Sequence, residues 1–87
     1  GASGVRDLHV GMMGDDVRAL QTVLVERNVG PAARALKAHG ITTTFAKLTF
    51  AALVEYQNQV GIVPSSGRCG PLTRAYFVSH NVPGLWW

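Results

Sequence analysis

The sequence predicts an all-α fold: a small three-helix bundle built from a duplicated loop–helix unit, with a short extra helix near residues 31–39. Three stretches carry apolar residues at helical spacing, and no stretch shows a convincing strand alternation. Glycine and proline signals at the ends of these stretches mark where helices start and stop. Three principal amphipathic helices in a short chain favour a bundle around one core.

A loop–helix motif occurs twice, with the second copy 24 positions after the first. In each copy an apolar residue, Phe45 or Cys69, precedes a tight turn and then a helix. The first turn of each helix carries a threonine, Thr49 in the first copy and Thr73 in the second. We interpret the motif as one structural device used twice, in which the apolar residue acts as a plug.

Length and composition fit a single packed domain. The chain has 87 residues, of which 47% are hydrophobic and 15% charged, and its net charge of +3 comes from scattered basic residues. One cysteine excludes an internal disulfide, and no Cys/His cluster has zinc spacing, so we expect no metal and no cofactor. No apolar run approaches the roughly 20 residues that span a bilayer.

The chain divides into three parts. Residues 1–4 resemble a linker or a cloning remnant, residues 5–80 form the predicted helical domain, and residues 81–87 form a C-terminal tail that holds both tryptophans. The first residues lack the charged and apolar regions of a signal peptide. We therefore expect a piece of a larger protein, covalently linked to neighbouring domains.

Asp15 or Asp16 is expected to cap the first helix, which is expected to end near Asn28. Val17, Leu20 and Leu24 recur at helical spacing and define its apolar face. Asp16 is a candidate cap, because its carboxylate can accept a backbone N–H bond and is favoured by the helix dipole.

Two segments are expected to surround the principal helices. Residues 31–39 are alanine-rich, begin with proline and precede a glycine, which predicts a short helix. Leu36 is its only large apolar residue, so we expect a peripheral addition rather than a core element. Leu8 and Val10 are expected to fold back onto the bundle.

The other two principal helices follow the repeated loops. The second is expected over residues 47–59, where Leu53 and Tyr56 lie on one apolar face. The third is expected from residue 71 to about residue 80, with a proline at its first position and Gly70 as its cap.

Two signatures carry a resemblance to a known family. Residues 8–24 read L-x-x-G-x-x-G-x-D-V-x-x-L-Q-x-x-L. Residues 45–62 read F-A-x-x-T-x-x-A-L-x-x-Y-Q-x-x-x-G-I, and residues 67–73 read G-x-x-G-x-x-T. The order and spacing of these positions resemble the type 1 peptidoglycan-binding domain, over residues 8–77.

The resemblance implies a three-helix fold and a non-catalytic module that anchors or targets a bacterial wall hydrolase or envelope protein. The implied partner is peptidoglycan, through its glycan strand or its stem peptide, and the implied location is extracytoplasmic, in the cell wall or envelope. Two features depart from the family pattern. Ala46 replaces a glycine, which places the turn geometry in question, and the connection over residues 28–44 is longer than usual.

The candidate binding residues cluster at the repeated loop–helix junctions. Arginine can hold a stem-peptide carboxylate through paired bonds, and the glutamines and threonines either contact ligand or tie a loop to its helix. The candidate ligand-binding residues are Lys47, Thr49, Gln57, Arg68, Thr73, Arg74 and Tyr76. The residues of the structural motif are Asp16, Gln21, Phe45, Cys69 and Gly70.

Other functions remain as alternatives. The three histidines lie far apart in sequence, and a bundle this small offers little pocket, so we expect no enzyme. Arg68-Cys69-Gly70 resembles the cysteine-switch tripeptide of matrix metalloproteinase propeptides, although it lies before the last helix rather than after it. A protein–protein or assembly module of the same fold is the main alternative. DNA binding is less favoured, because the third helix carries a single arginine.

Overall fold

The computed structural model describes residues 7–62 and 66–80 and confirms the all-α class. These residues contain two isolated β-bridges but no strand, and none of their helices is long and apolar enough to cross a membrane. The predicted linker and the predicted tail lie outside the described residues. The helices are α1 (Asp15–Arg27), α2 (Pro31–His39), α3 (Lys47–Val60) and α4 (Pro71–Ser79).

The hydrophobic core draws on all four helices and on the loops between them. Leu8 from the first loop is completely buried, as predicted, but Val10 is 50% exposed, and its predicted packing is wrong. The residues of the core cluster are Leu8, Val17, Leu20, Val23, Leu24, Leu36, Phe45, Ala52, Leu53, Tyr56, Cys69 and Phe77.

The expectation that the short extra helix is peripheral is wrong. Leu36 and Ala33 on α2 are buried, and α2 packs more extensively on α3 than α1 does. Small side chains share this packing with Leu36, since Ala33 is buried and Ala32 packs against the core cluster. Helix α2 is therefore a wall of the core.

A carboxylate from α3 caps α2. Glu55 Oε2 accepts a bond from Ala32 N at 3.1 Å, and Glu55 Oε1 accepts one from Ala33 N at 3.2 Å. Gly30 leaves room for the Glu55 carboxylate, because a Cβ atom at residue 30 would overlap it. The contact satisfies two otherwise unpaired N–H groups and places negative charge at the positive end of the helix dipole.

Helix α1 begins differently from the prediction. Gly14 occupies the cap position, and Asp16 lies in the first turn, where its Oδ1 accepts a 2.9 Å bond from Val17 N. Gly14 has a positive φ of 149° and donates its N–H to Thr43 O at 2.9 Å. The helix start is thus set by a loop–loop contact and a glycine conformation rather than by an aspartate cap. Asp16 still lies where the helix dipole favours a carboxylate.

The first loop joins the two repeated loops. Leu8 exchanges both backbone bonds with Cys69, at 3.0 and 2.8 Å. Phe45 donates to Met12 O and accepts from Gly11 N, both at 2.9 Å. The backbones of the two plug residues are therefore tied to the same segment, and both side chains are buried.

Ala46 fits the turn that glycine usually occupies in the resembled family. Ala46 has φ −126° and ψ −164°, and the equivalent Gly70 has φ −105° and ψ −163°. Both positions are extended, so neither requires a positive φ, and the same turn forms in both copies.

Gly67, in contrast, is required by both conformation and space. Its φ is +73°, and a Cβ atom would overlap the Phe50 ring and lie 2.9 Å from Val54 Cγ2. Gly61 has a similar φ of +82° but nothing within 4 Å of its Cβ position, which makes it a matched control.

We expect Gly67→Ala to lower the free energy of unfolding by about 2–4 kcal/mol, because backbone strain and overpacking add. Gly61→Ala should cost only about 1 kcal/mol, from the backbone strain alone. Urea denaturation followed by circular dichroism measures both. Equal losses for the two variants would show that the steric contribution at residue 67 is absent.

Candidate binding site at the two loop–helix junctions

Gln21 holds the first repeated loop against α3. Its Oε1 accepts a bond from Thr42 N at 2.6 Å. Its Nε2 donates to Thr44 O and to Thr49 Oγ1, both at 2.9 Å. The side chain is 1% exposed, so these bonds satisfy an amide that water does not reach. We call this arrangement junction A.

Gln57 makes the equivalent contacts at the second loop. Its Oε1 accepts from Gly67 N at 2.9 Å, and its Nε2 donates to Arg68 O at 2.9 Å and to Thr73 Oγ1 at 3.0 Å. We call this arrangement junction B. In junction A, the buried amide connects α1 with the loop before α3 and with the first turn of α3. In junction B, it connects α3 with the loop before α4 and with the first turn of α4.

Each junction has an open groove beside it. Groove A has a volume of about 420 Å³ and groove B about 300 Å³, which are within or at the edge of the range of small-molecule sites. Groove A is lined by Gln21, Leu36, His39, Thr42, Thr44, Ala46, Lys47, Leu48 and Thr49. Groove B is lined by Asp7, Gln57, Ile62, Ser66, Arg68, Gly70, Pro71, Leu72 and Thr73.

The grooves differ in charge. Groove A contains Lys47, which makes no ion pair with any described residue, and no acidic side chain lines it. In groove B, the Asp7 carboxylate lies 3.7 Å from the Arg68 guanidinium and 2.7 Å from that of Arg74. The bond from Arg74 is the main cause that lowers the pKa of Asp7. The stability that the lowered pKa of Asp7 contributes is present at pH values above the pKa of this group in the unfolded chain. It is lost as the pH falls through the pKa of Asp7 in the folded domain.

The seven candidate ligand-binding residues do not form one site. Lys47 and Thr49 line groove A, and Gln57, Arg68 and Thr73 line groove B.

Arg74 lines neither groove. Its side chain is 19% exposed, and it donates to Asp7 and, at 3.4 Å, to Cys69 O. Asp7 is a residue that sequence reasoning missed. The sequence feature that could have indicated it is its position, since this acidic residue directly precedes Leu8, the first leucine of the signature over residues 8–24.

Tyr76 belongs to a third, shallower groove, groove C. Its ring stacks on His80 with centroids 3.9 Å apart and meets the Tyr56 ring edge-on at 6.0 Å. Groove C has a volume of about 590 Å³ and a mainly apolar lining. The lining residues are Val60, Gly61, Ile62, Leu72, Ala75, Tyr76 and Ser79.

Cys69 is a core residue with an inert thiol. It is completely buried, and the loss of water around it raises the pKa of the thiol to about 12. Such a thiol has almost no thiolate at neutral pH and cannot reach a metal in a neighbouring domain without unfolding its loop. This geometry opposes the cysteine-switch alternative.

We expect the Cys69 thiol of the native domain to react with Ellman's reagent at pH 8 at least a hundredfold more slowly than in urea, because only unfolding exposes it. The absorbance time course with and without denaturant measures this. A native rate close to that of glutathione would contradict the burial of this side chain.

The side chains that could hold a metal ion are dispersed in the described part of the chain. Residues 7–62 and 66–80 contain no group of three or more His, Cys, Asp or Glu side chains that could hold a metal ion. The ring nitrogens of His9 and His39 lie within hydrogen-bond distance of neighbouring backbone carbonyls. His80 contacts Ser79 and the Tyr76 carbonyl.

Comparisons of the chain with protein families, with curated proteins and with solved structures found no match. The fold and the site together define a compact all-α domain with two equivalent loop–helix junctions. A buried glutamine amide braces each junction.

Proposed function

We propose that this domain is a non-catalytic cell-wall module that binds peptidoglycan and thereby anchors or targets a larger bacterial envelope protein or wall hydrolase. The observation that carries the proposal is the pair of open grooves, each held beside a buried glutamine–threonine contact. A site held by buried hydrogen bonds keeps its shape without ligand, which lowers the entropic cost of binding.

The motif residues of the sequence resemblance support the proposal by their positions. Gln21 and Gln57, the glutamines of the two signatures, brace the junctions, and Thr49 and Thr73 are their partners. These residues fix the shape of the grooves, and most of the ligand contact falls to the more exposed residues around them. The proposed location is extracytoplasmic, at the wall.

Co-sedimentation with purified peptidoglycan sacculi tests the proposal. We expect the domain to be recovered with the pellet, to remain there at about 0.5 M salt, where weak charge attraction is screened, and to be released by soluble muropeptides. Insoluble cellulose controls for adhesion to polysaccharide. Full recovery in the supernatant at low salt would contradict the proposal.

An assembly module is the second candidate, and two large exposed apolar side chains on α4 favour it. Leu72 is 60% exposed and Val78 is 56% exposed. A partner that covered either side chain would gain the free energy of burying apolar surface. This candidate predicts a mass that rises with concentration in light scattering, whereas the peptidoglycan-binding module needs no self-association.

DNA binding has little structural support in α4. Arg74, the single arginine of that helix, is engaged by Asp7. A recognition helix needs basic and amide side chains free to reach base edges.

A further inference from the structure

We propose that groove A, rather than groove B, receives a carboxylate of the peptidoglycan stem peptide, with Lys47 as the pairing cation. This inference rests on the proposed function and assigns its ligand chemistry to one of two equivalent grooves. Four observations carry it: the charge of the two grooves, the ends of the helices, an unused buried hydroxyl and the wall contributed by α2.

The first observation is that corresponding positions of the two grooves differ in charge. Lys47 begins α3 in groove A, and the equivalent residue in groove B is Pro71. Groove B also contains the Asp7 carboxylate, which already pairs with Arg68 and would repel a second anion. Groove A therefore offers the Lys47 ammonium group with no acidic side chain in its lining. In groove B, the Arg68 guanidinium is already paired with the Asp7 carboxylate.

The second observation is that α3 lacks a carboxylate at its N-terminus. Helix α1 has Asp15 and Asp16 in its first turn, and α2 is capped by Glu55 from α3. Helix α3 has no acidic residue in its first turn and no side-chain cap bond. Because a helix N-terminus favours an anion, a ligand carboxylate in groove A would occupy the position that the chain's own carboxylates fill in α1 and α2.

Helix α4 is a weaker anion site than α3. Its first residue is Pro71, which has no N–H to donate, and Asp7 lies in the adjoining groove. The first turn of α3, in contrast, has N–H groups throughout, and its residues 47–49 all line groove A.

The third observation is a buried hydroxyl with an unused donor. Thr49 is 2% exposed and lines groove A, and its Oγ1 accepts a bond from Gln21. Within the described part of the chain, no residue accepts the hydroxyl proton of Thr49. A carboxylate oxygen in the groove would supply that acceptor. Thr73 in groove B is buried and accepts from Gln57 in the same way, so the hydroxyl supports a ligand at a junction, and the choice of groove A rests on the charges and the helix ends.

The fourth observation concerns the other wall of groove A. Leu36 on α2 and Leu48 on α3 give the groove apolar sides, while Thr42 and Thr44 provide hydroxyl groups. A stem peptide offers matching chemistry, since its alanine methyl groups suit apolar walls and its carboxylates suit a cation. The long connection that holds α2 thus contributes directly to the groove.

A titration of the isotope-labelled domain by two-dimensional ¹H–¹⁵N nuclear magnetic resonance tests the assignment. The probes are a synthetic stem tetrapeptide with free carboxylates, the same peptide with every carboxylate amidated, and chitotetraose as a peptide-free glycan. We expect the free acid at millimolar concentration to shift the amide signals of residues 46–49. The amidated peptide should bind at least fivefold more weakly, and chitotetraose should leave these signals unchanged.

A matched pair of charge variants gives the second measurement. Lys47→Gln should weaken binding of the free acid about 3- to 10-fold, the effect expected for loss of one partly exposed ion pair. Lys37→Gln makes the same charge change on exposed α2 surface outside the three grooves and should leave the affinity unchanged. Thermal unfolding of both variants checks that the fold is retained.

Four outcomes would overturn the assignment. Shifts confined to residues 70–73 would place the ligand in groove B. Equal binding of acid and amide, or equal losses in the two lysine variants, would remove the carboxylate–Lys47 pair. Co-sedimentation of the native domain with sacculi, without any peptide-induced shift, would leave the proposed function standing and overturn this inference alone. Failure of both assays would refute the proposed function itself.

Discussion

Replacing Gln57 with alanine should lower the free energy of unfolding by about 3–5 kcal/mol, a large loss for a single polar substitution. The side chain is buried and bonds Gly67 N, Arg68 O and Thr73 Oγ1. The substitution removes all three bonds and leaves three poorly hydrated groups without partners. Because small domains are stable by only about 5–15 kcal/mol, much of the stability would be lost.

Two further variants isolate the cause. Gln59→Ala changes the same residue type on the exposed side of α3 and should cost no more than about 0.5 kcal/mol. Gln57→Met keeps a similar volume but removes the bonds, so it should remain strongly destabilising. Urea denaturation followed by circular dichroism measures all three. A loss below about 1 kcal/mol for Gln57→Ala would mean that the amide does not brace junction B.

Replacing Phe45 with alanine should cost about 3–4 kcal/mol, because it leaves a cavity in the core. Phe45 is 1% exposed and belongs to the core cluster, and its backbone is bonded to Gly11 and Met12 of the first loop. These backbone bonds hold residue 45 in place, so the surrounding chain has limited freedom to collapse into the cavity.

Phe50→Ala is the matched control, since it changes the same residue type five positions later at a side chain that is 42% exposed. We expect a loss of about 1 kcal/mol or less for this variant. Guanidinium denaturation of both variants, monitored by circular dichroism, measures the difference. Equal losses would contradict the role of Phe45 as a buried plug.

Most of the fold could be predicted from local patterns. Helices α3 and α4 begin at the residues that the repeated motif indicated, and α2 spans the segment between its proline and its glycine. These predictions succeeded because they depend on short-range physics, such as apolar spacing, proline at a helix start and glycine after a helix end.

The predictions that failed or were missed concern partners distant in sequence. The packing of Leu36 depends on α3. The cap of α2 comes from Glu55, more than 20 residues further along the chain. The pairing of Asp7 with Arg74 joins the two ends of the described chain. No local pattern reports such contacts, because the residues meet only after the helices have packed.

By itself, the sequence determined that this protein is all-helical, where its helices lie and that one loop–helix device occurs twice, because helix periodicity and turn chemistry are written in neighbouring residues. Only the tertiary structure decided that α2 is a core wall, that Arg74 is engaged by Asp7, and that the candidate residues divide between separate grooves. Those outcomes depend on which side chains meet across the core, and packing in three dimensions alone brings them together.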